Sequence, residues 1–457
     1  MKKHILFLSL TLAVLFAGRV SAQNTYSGYF TEGYAYRHQM NPALTDSMNF
    51  VSFPALGNLN IGLQGNLHLT DVLYNVNGRT SLFTNPAVSA SEVMKNISDK
   101  NRIGFETRIG ILSGGFKAWG GYNTVSISAR ANVNASLPGS VFSLIKEGVE
   151  NKTYDITNLR ASAQAFAEIA LGHSRDLSKY VPGLRVGATL KFLLGAGNVD
   201  AYLHKADLTL GENAWTGVTN ADVYASVKGL TYKTKYDRHT GRDYVNGAEI
   251  DGFGLGGFGL GLDLGASYKL NADWEFSAAV LDFGFISWSD TQYASTDGDR
   301  MVNTDAYIFN PDDDADNSFS QEWKRLRNNF SDLYQLSDKG KMSRTKMLAA
   351  TLNFAAQYTF PIYRNLKFGL LNSTHINGAF TYTHFRLSAN VAPVKIFSAD
   401  INYAIGTFGS SFGWLLNLHP KGFNLFLGMD HTLGKLAKQG VPLSSNAQLN
   451  FGINFPF

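Results

Sequence analysis

Gly409-Ser410-Ser411-Phe412-Gly413 has the spacing of a nucleophile elbow, and Asp430 and His431 follow where an acid and a base would be needed. That chemistry requires the serine to stand on a sharp turn between a strand and a helix. The flanking sequence predicts a hairpin turn between two strands instead, so the motif is expected to be structural. Gly254-Leu255-Gly256-Gly257-Phe258-Gly259 matches the dinucleotide fingerprint, which needs a preceding strand and a following helix to hold pyrophosphate. Strand-like alternation follows it here, and the glycines are expected to ease that strand. Asp312-Asp313-Asp314-Ala315-Asp316 spaces acids as a calcium loop does, but Asn317 and Trp323 occupy the positions that want Gly and Glu. It is read as an exposed acidic loop. The ten His are scattered, and the absence of Cys removes disulfides, thiolate metal sites and Cys nucleophiles. The chain is therefore read as a non-enzyme, with no catalytic residue, cofactor or metal assigned.

Composition narrows the class. The 457 residues include 45 Gly and 59 aromatics, and charged residues make up 17 % against roughly 25 % in ordinary soluble proteins. This profile suits neither a disordered chain nor a coiled coil. At the N-terminus, Lys2 and Lys3, the apolar run Ile5–Phe16 and Val20-Ser21-Ala22 read as a secretory signal peptide over residues 1–22. Its removal takes three basic residues and no acidic one, so the net charge falls from +4 to +1. Nothing basic remains to suggest a nucleic-acid partner.

Period-2 alternation recurs along the mature chain. Val125, Ile127, Ala129, Ala131 and Val133 alternate with polar residues, and Leu348 to Tyr358 repeats the pattern. So do Phe258 to Tyr268, Phe397 to Ile405, and Leu449 to Phe457. Several runs reach ten residues, the length a transmembrane β-strand needs. Strands are predicted near 56–67, 102–112, 122–134, 159–171, 184–194, 257–269, 273–285, 345–358, 365–372, 379–391, 396–406, 411–418, 423–430 and 446–457. Their connections alternate, short on one side and long on the other, which is the layout of a bacterial outer-membrane barrel. The fold class predicted is all-β: a transmembrane antiparallel β-barrel of about 14 strands. The number becomes 16 if Tyr202–Leu210 and Val223–Tyr232 enter the wall, but that hairpin is expected to extend a long outer loop. Amphipathic helices are predicted in the outer loops over Pro86–Ser98, Pro138–Val149 and Phe319–Leu336.

Residues 23–55 precede the first strand and interleave Tyr26, Tyr29, Phe30, Tyr34 and Tyr36 with glycine and polar residues. Such a segment could fill a pore, and it is read as an N-terminal plug or hatch, with 56–457 as the barrel. With Asn41-Pro42-Ala43 just before strand one, a layout of about 14 strands and a terminal Phe457, the chain resembles FadL-like outer-membrane barrels, the long-chain fatty-acid transporter family. That group also embraces PorV-type barrels of secretion systems, and the chain looks like an uncharacterised branch of it. The resemblance implies that Asn41, Pro42 and Ala43 lie in the hatch as structural residues. It also implies that Phe451, Ile453, Phe455 and Phe457 form the C-terminal signal read by the barrel-assembly machinery, although Pro456 departs from that pattern.

The expected location is the outer membrane of a Gram-negative cell, among outer-membrane lipid. The expected function is a plugged passive channel for hydrophobic or amphiphilic small molecules. The alternative is a PorV-like platform that binds a secretion-system protein. No strand break that would serve as a lateral gate is identifiable in the sequence.

Overall fold

The computed structural model describes residues 25–45, 48–148, 150–252, 254–307, 318–432 and 446–457. The expected leader, 1–22, and the acidic run Asp312–Asp316 lie outside them.

Fourteen strands close a barrel, each antiparallel to its sequence neighbours. In chain order they are β1 (Leu59–Gly65), β2 (Lys100–Ala118), β3 (Gly121–Pro138), β4 (Arg160–Asp176) and β5 (Leu184–Leu210). Then come β6 (Gly257–Lys269), β7 (Trp274–Ser295), β8 (Ala350–Thr359), β9 (Leu366–Ile376) and β10 (Tyr382–Val394). The last four are β11 (Phe397–Gly406), β12 (Gly409–Leu418), β13 (Asn424–Met429) and β14 (Ala447–Pro456). Closure comes where β14 pairs β1, Leu59 opposite Phe451 and Leu63 opposite Ala447. A short preceding piece, Phe50–Ser52, extends the same seam. Closure leaves no free sheet edge, the one way a sheet can satisfy its backbone in hydrocarbon.

Parity assigns the faces. On β11, Ile401, Tyr403 and Ile405 point out and are at least half exposed, while Asp400, Asn402 and Ala404 are buried in the lumen. Phe276, Phe354, Phe385, Leu387 and Phe412 continue the outer apolar surface on neighbouring strands. No helix among the described residues is long and apolar enough to cross a membrane. Short connections gather at one end, as at Trp119–Gly120, Leu270–Asp273 and Lys395–Ile396. Long ones gather at the other. Phe455 and Ile453 point outward on β14 with Phe451, and Phe457 follows the strand.

The outer ends are more elaborate than alternation predicted. β5 runs 27 residues and β7 runs 22. The segment Ala214–Val227 pairs with the outer halves of both, at Val227 opposite Gly197 and Ser226 opposite Thr291. β6 pairs with the inner halves of the same two strands, beginning at Gly257 opposite Gly195 and Trp288. One wall position is thus shared by two segments, and the chain between them leaves to form the hairpin Leu230–Asp237 and Arg242–Ile250. This keeps the wall at fourteen.

The helices are shorter than expected: Ala90–Met94, Gly139–Glu147, and Phe319–Asn329 followed by Ser331–Tyr334. The first two cover a small cluster of Phe83, Val88, Val93 and Phe142 over the outer mouth. Gly254–Gly259 leads directly into β6, so the helix a dinucleotide would need is missing.

Because Ile401 faces lipid midway along its strand, Ile401→Lys should cost about 2–4 kcal/mol. Urea unfolding from lipid vesicles measures it; a loss below about 0.5 kcal/mol would mean that this face is in water.

Candidate functional site

Residues Thr25–Leu44 thread the lumen as a plug made of turns and two short 3-10 segments, Tyr26–Gly28 and Arg37–Gln39. Its aromatics form one core with the wall: Tyr26, Tyr29, Phe30, Tyr34, Tyr36 and Met40 pack against Leu371, Leu415 and Phe426. Tyr34 meets Phe426 edge-on at 4.9 Å. Its turns pair part of its backbone, as where the Tyr29 N–H donates to the Tyr26 carbonyl and the Met40 N–H to the Arg37 carbonyl, and the buried N–H and C=O groups left over need partners from elsewhere. The inward polar side chains of the wall supply them. The Asp430 carboxylate, fully buried after β13, accepts the Tyr26 N–H at 2.6 Å and also the Ser27 N–H and hydroxyl. Asn402 donates to the Ser27 hydroxyl at 2.9 Å, and Asn353 donates to the Met40 carbonyl at 2.9 Å. Tyr36 donates to Asn454 at 2.7 Å. Asp430 is therefore committed to the plug rather than to a triad. Ser411 reaches only the Asp430 backbone carbonyl, at 3.5 Å, and no hydrogen bond joins Ser411 to His431.

Asn41-Pro42-Ala43 sits where the plug presses on the wall. Asn41 Oδ1 accepts the Ala43 N–H at 2.9 Å, closing a local turn. Asn41 Nδ2 donates to the carbonyls of Ala266 and Ala278, each at 3.2 Å. The approach is so close that a Cβ on Gly265 would lie 2.1 Å from Asn41 Oδ1, and one on Gly187 would lie 2.3 Å from the Pro42 backbone. Only glycine fits at those two wall positions.

Burial sets the chemistry of the plug's titratable groups. It pushes the Tyr26, Tyr34 and Tyr36 phenols up. It pushes the His38 imidazole down to about 4. His38 is thus neutral near pH 7, and its Nδ1 lies 2.9 Å from the Ala35 carbonyl, which places the proton on that nitrogen.

Beside the plug lies a charged layer drawn from six wall strands. Glu168 pairs with Arg108 at 3.2 Å and Arg130 at 2.7 Å. Arg130 grips Asp282 through two parallel 2.9 Å hydrogen bonds. Lys191 completes the chain, 2.6 Å from Asp282 and 2.7 Å from Asp263. Three cations balance three carboxylates. Asp282 owes its position to an irregularity where β6 meets β7: it has a positive φ, 56°, and its N–H donates to Asp263 at 2.7 Å. The layer reaches the plug through Arg108, which donates to Gln39 at 3.2 Å.

Over this layer opens a cleft of about 770 Å³, open solvent included. Its lining mixes the polar and charged groups Glu106, Arg108, Arg130, Asp282, Lys346 and His375 with the apolar Phe166, Met347, Leu348 and Ala349, and the Arg130 guanidinium lies 5.2 Å over the Phe166 ring. Phe166 and Leu348 belong to a buried lumenal cluster with Leu193, Ile286 and Trp288. Toward the mouth, Asp200 is fully buried between Arg344, at 2.5 Å, and Lys346, at 2.7 Å. The motif search missed all of these groups, because none belongs to a local signature. The usable signal was parity: Lys191 stands between Leu190 and Phe192, at a lumen-facing position of β5. An ionisable residue there is a functional candidate.

A closed antiparallel wall with an apolar outer face and a plugged polar lumen defines a transmembrane β-barrel of the outer-membrane type. Within that class, the chain belongs to the family described as "Family of unknown function (DUF5723)", whose model matches residues 42–430. No curated protein matches the chain. Among solved structures it is similar to the toluene transporter TodX of P. putida, at 10 % identity and a TM-score of 0.38, over 92 % of each chain. It is also similar to the toluene transporter TbuX of Ralstonia pickettii, at 9 % identity and a TM-score of 0.41, over 96 % of this chain and 98 % of that one. A Pseudomonas aeruginosa FadL homologue follows, at 8 % identity and a TM-score of 0.36, over 96 % and 97 %.

Lys191→Met should strand Asp263 and Asp282 without their shared cation and cost about 3–5 kcal/mol of wall stability. Urea titration of the reconstituted protein reads this out. A cost below about 1 kcal/mol would show that water, not Lys191, balances these carboxylates.

Proposed function

We propose that this chain is a passive outer-membrane channel for small amphiphilic or hydrophobic molecules, closed by its N-terminal plug. The observation that carries the reading is the cleft beside the plug, lined by charged and apolar side chains together. A molecule with a polar head and an apolar body matches both kinds of lining. In this reading the plug is the moving part, and Asn41, Pro42 and Ala43 are its structural hinge on the wall. Its contacts are suited to that task, since they are side-chain hydrogen bonds that can break singly, whereas the wall strands are joined by cooperative ladders. The leader and the C-terminal aromatics Phe451, Ile453, Phe455 and Phe457 belong to the same proposal, as signals for export and for assembly into the membrane.

The absence of Cys makes a clean test available. Thr25 Oγ1 lies 3.1 Å from Asn60 Oδ1, so Thr25→Cys with Asn60→Cys should form a disulfide tying the plug to β1. In cells whose outer membrane carries the chain as its added channel, radiolabelled dodecanoate uptake should fall at least tenfold on oxidation and recover with reductant. Equal uptake in both states would overturn the proposal. A stable protein complex at the outer loops, without any uptake, would favour the protein-binding platform instead.

A further inference from the structure

The lipid-facing side of the wall is not uniformly ridged. Across β4 to β10 two adjoining troughs of about 1020 and 950 Å³, open to the surroundings, share the same floor. That floor is made of outward alanines, Ala266 directly opposite Ala278, with Ala188 and Ala356 beside them. Leu264, Val280 and Phe354 stand up as its banks. A trough cut into an apolar, lipid-facing surface is the shape a hydrocarbon chain fills, and leaving it vacant would forfeit dispersion contacts along its length.

One end of the trough is charged. Arg175, next to the end of β4, and His173 line it. His173 is held by Asn123 at 2.9 Å, whereas Arg175 is exposed and has no ion pair or hydrogen bond among the described residues. Its neighbour Asp176 lies 4.0 Å from Arg185. The Trp119–Gly120 turn lies beside it, and a Cβ on Gly120 would come 3.3 Å from the guanidinium. Exposed aromatics mark the same level: Trp119 and Tyr180 on the short turns, with Tyr268 and Trp274 at the adjacent strand ends. Aromatic side chains of this kind settle at the headgroup layer. Arg175 thus sits at headgroup depth on the short-turn side, and the apolar trough runs from it into the hydrocarbon.

We propose that this trough is a binding site for one anionic phospholipid, with an acyl chain over Ala266 and Ala278 and its phosphate on Arg175. The planar guanidinium matches phosphate oxygens two at a time, which a lysine cannot do. The site lies back to back with the plug: the carbonyls of Ala266 and Ala278 that floor the trough outside accept the Asn41 amide inside. The inference needs only the transmembrane barrel and is independent of what the channel carries.

Native mass spectrometry of the full chain tests it, with protein released from nanodiscs of equal phosphatidylglycerol and phosphatidylethanolamine. The wild type should retain one phosphatidylglycerol with about tenfold preference over phosphatidylethanolamine. Arg175→Gln, an exposed change outside the packed wall, should abolish the preference, and Arg175→Lys should restore it only in part. Ala266→Phe should fill the trough and remove the retained lipid of either kind. Ile405→Phe, outward on a distant strand, should change nothing. Retention without headgroup preference in the wild type, or an unchanged preference in Arg175→Gln, would overturn the proposal. Heat-modifiable migration on gels confirms that each variant is folded.

Discussion

Hydrocarbon offers no partner to a peptide group, and that one constraint organises this molecule. Every N–H and C=O in the membrane has to be paired within the protein, which forces the sheet to close on itself. Closure at fourteen strands leaves a lumen wider than the wall's own side chains can fill. The plug fills it, and the same constraint then applies again on the inside. A segment of turns and 3-10 helix pairs only part of its own backbone, so the wall must present hydrogen-bonding side chains to the rest. Asp430 and Asn353 meet plug backbone groups, and Asn402 and Asn454 meet the Ser27 and Tyr36 hydroxyls. The polar inner face is therefore less a water channel than a template for one particular segment of the same chain.

The charged layer follows the same logic. Glu168, Asp282 and Asp263 have been taken out of bulk water, and each is balanced by a cation from another strand. Pairing of this kind is a weak source of stability, because desolvation offsets most of the attraction. Its consequence is positional. Six strands are tied at one height, and Arg108 connects that height to Gln39 of the plug. The cleft beside it consequently has its charged lining held in place.

Most of the wall was legible because its physics is local. Whether residue i faces lipid or lumen depends on parity alone, so alternation placed the strands and gave fourteen. What failed to show depends on partners far away in sequence. The sharing of one wall position by Ala214–Val227 and β6 is a matter of register against β5 and β7, which no local pattern encodes. The outer extensions of β5 and β7 exist for the same reason. Asp430 illustrates the limit best. Its spacing from Ser411 suggested catalysis, yet its carboxylate serves Tyr26 and Ser27, some four hundred residues earlier. The Asn41-Pro42-Ala43 turn was placed in the hatch from resemblance. The glycines that receive it, Gly187 and Gly265, were read only as composition.

The central claim is that plug and wall are separate cooperative units, the first held by side chains and the second by ladders. Amide hydrogen exchange on the full chain in nanodiscs tests this directly, because local opening and global unfolding give different protection. Peptides from residues 25–44 should exchange at least a hundredfold faster than those from the centres of β3, β4 and β11, and Asp430→Asn should accelerate the plug alone. Plug and wall amides exchanging together, or a uniform response to Asp430→Asn, would contradict the account.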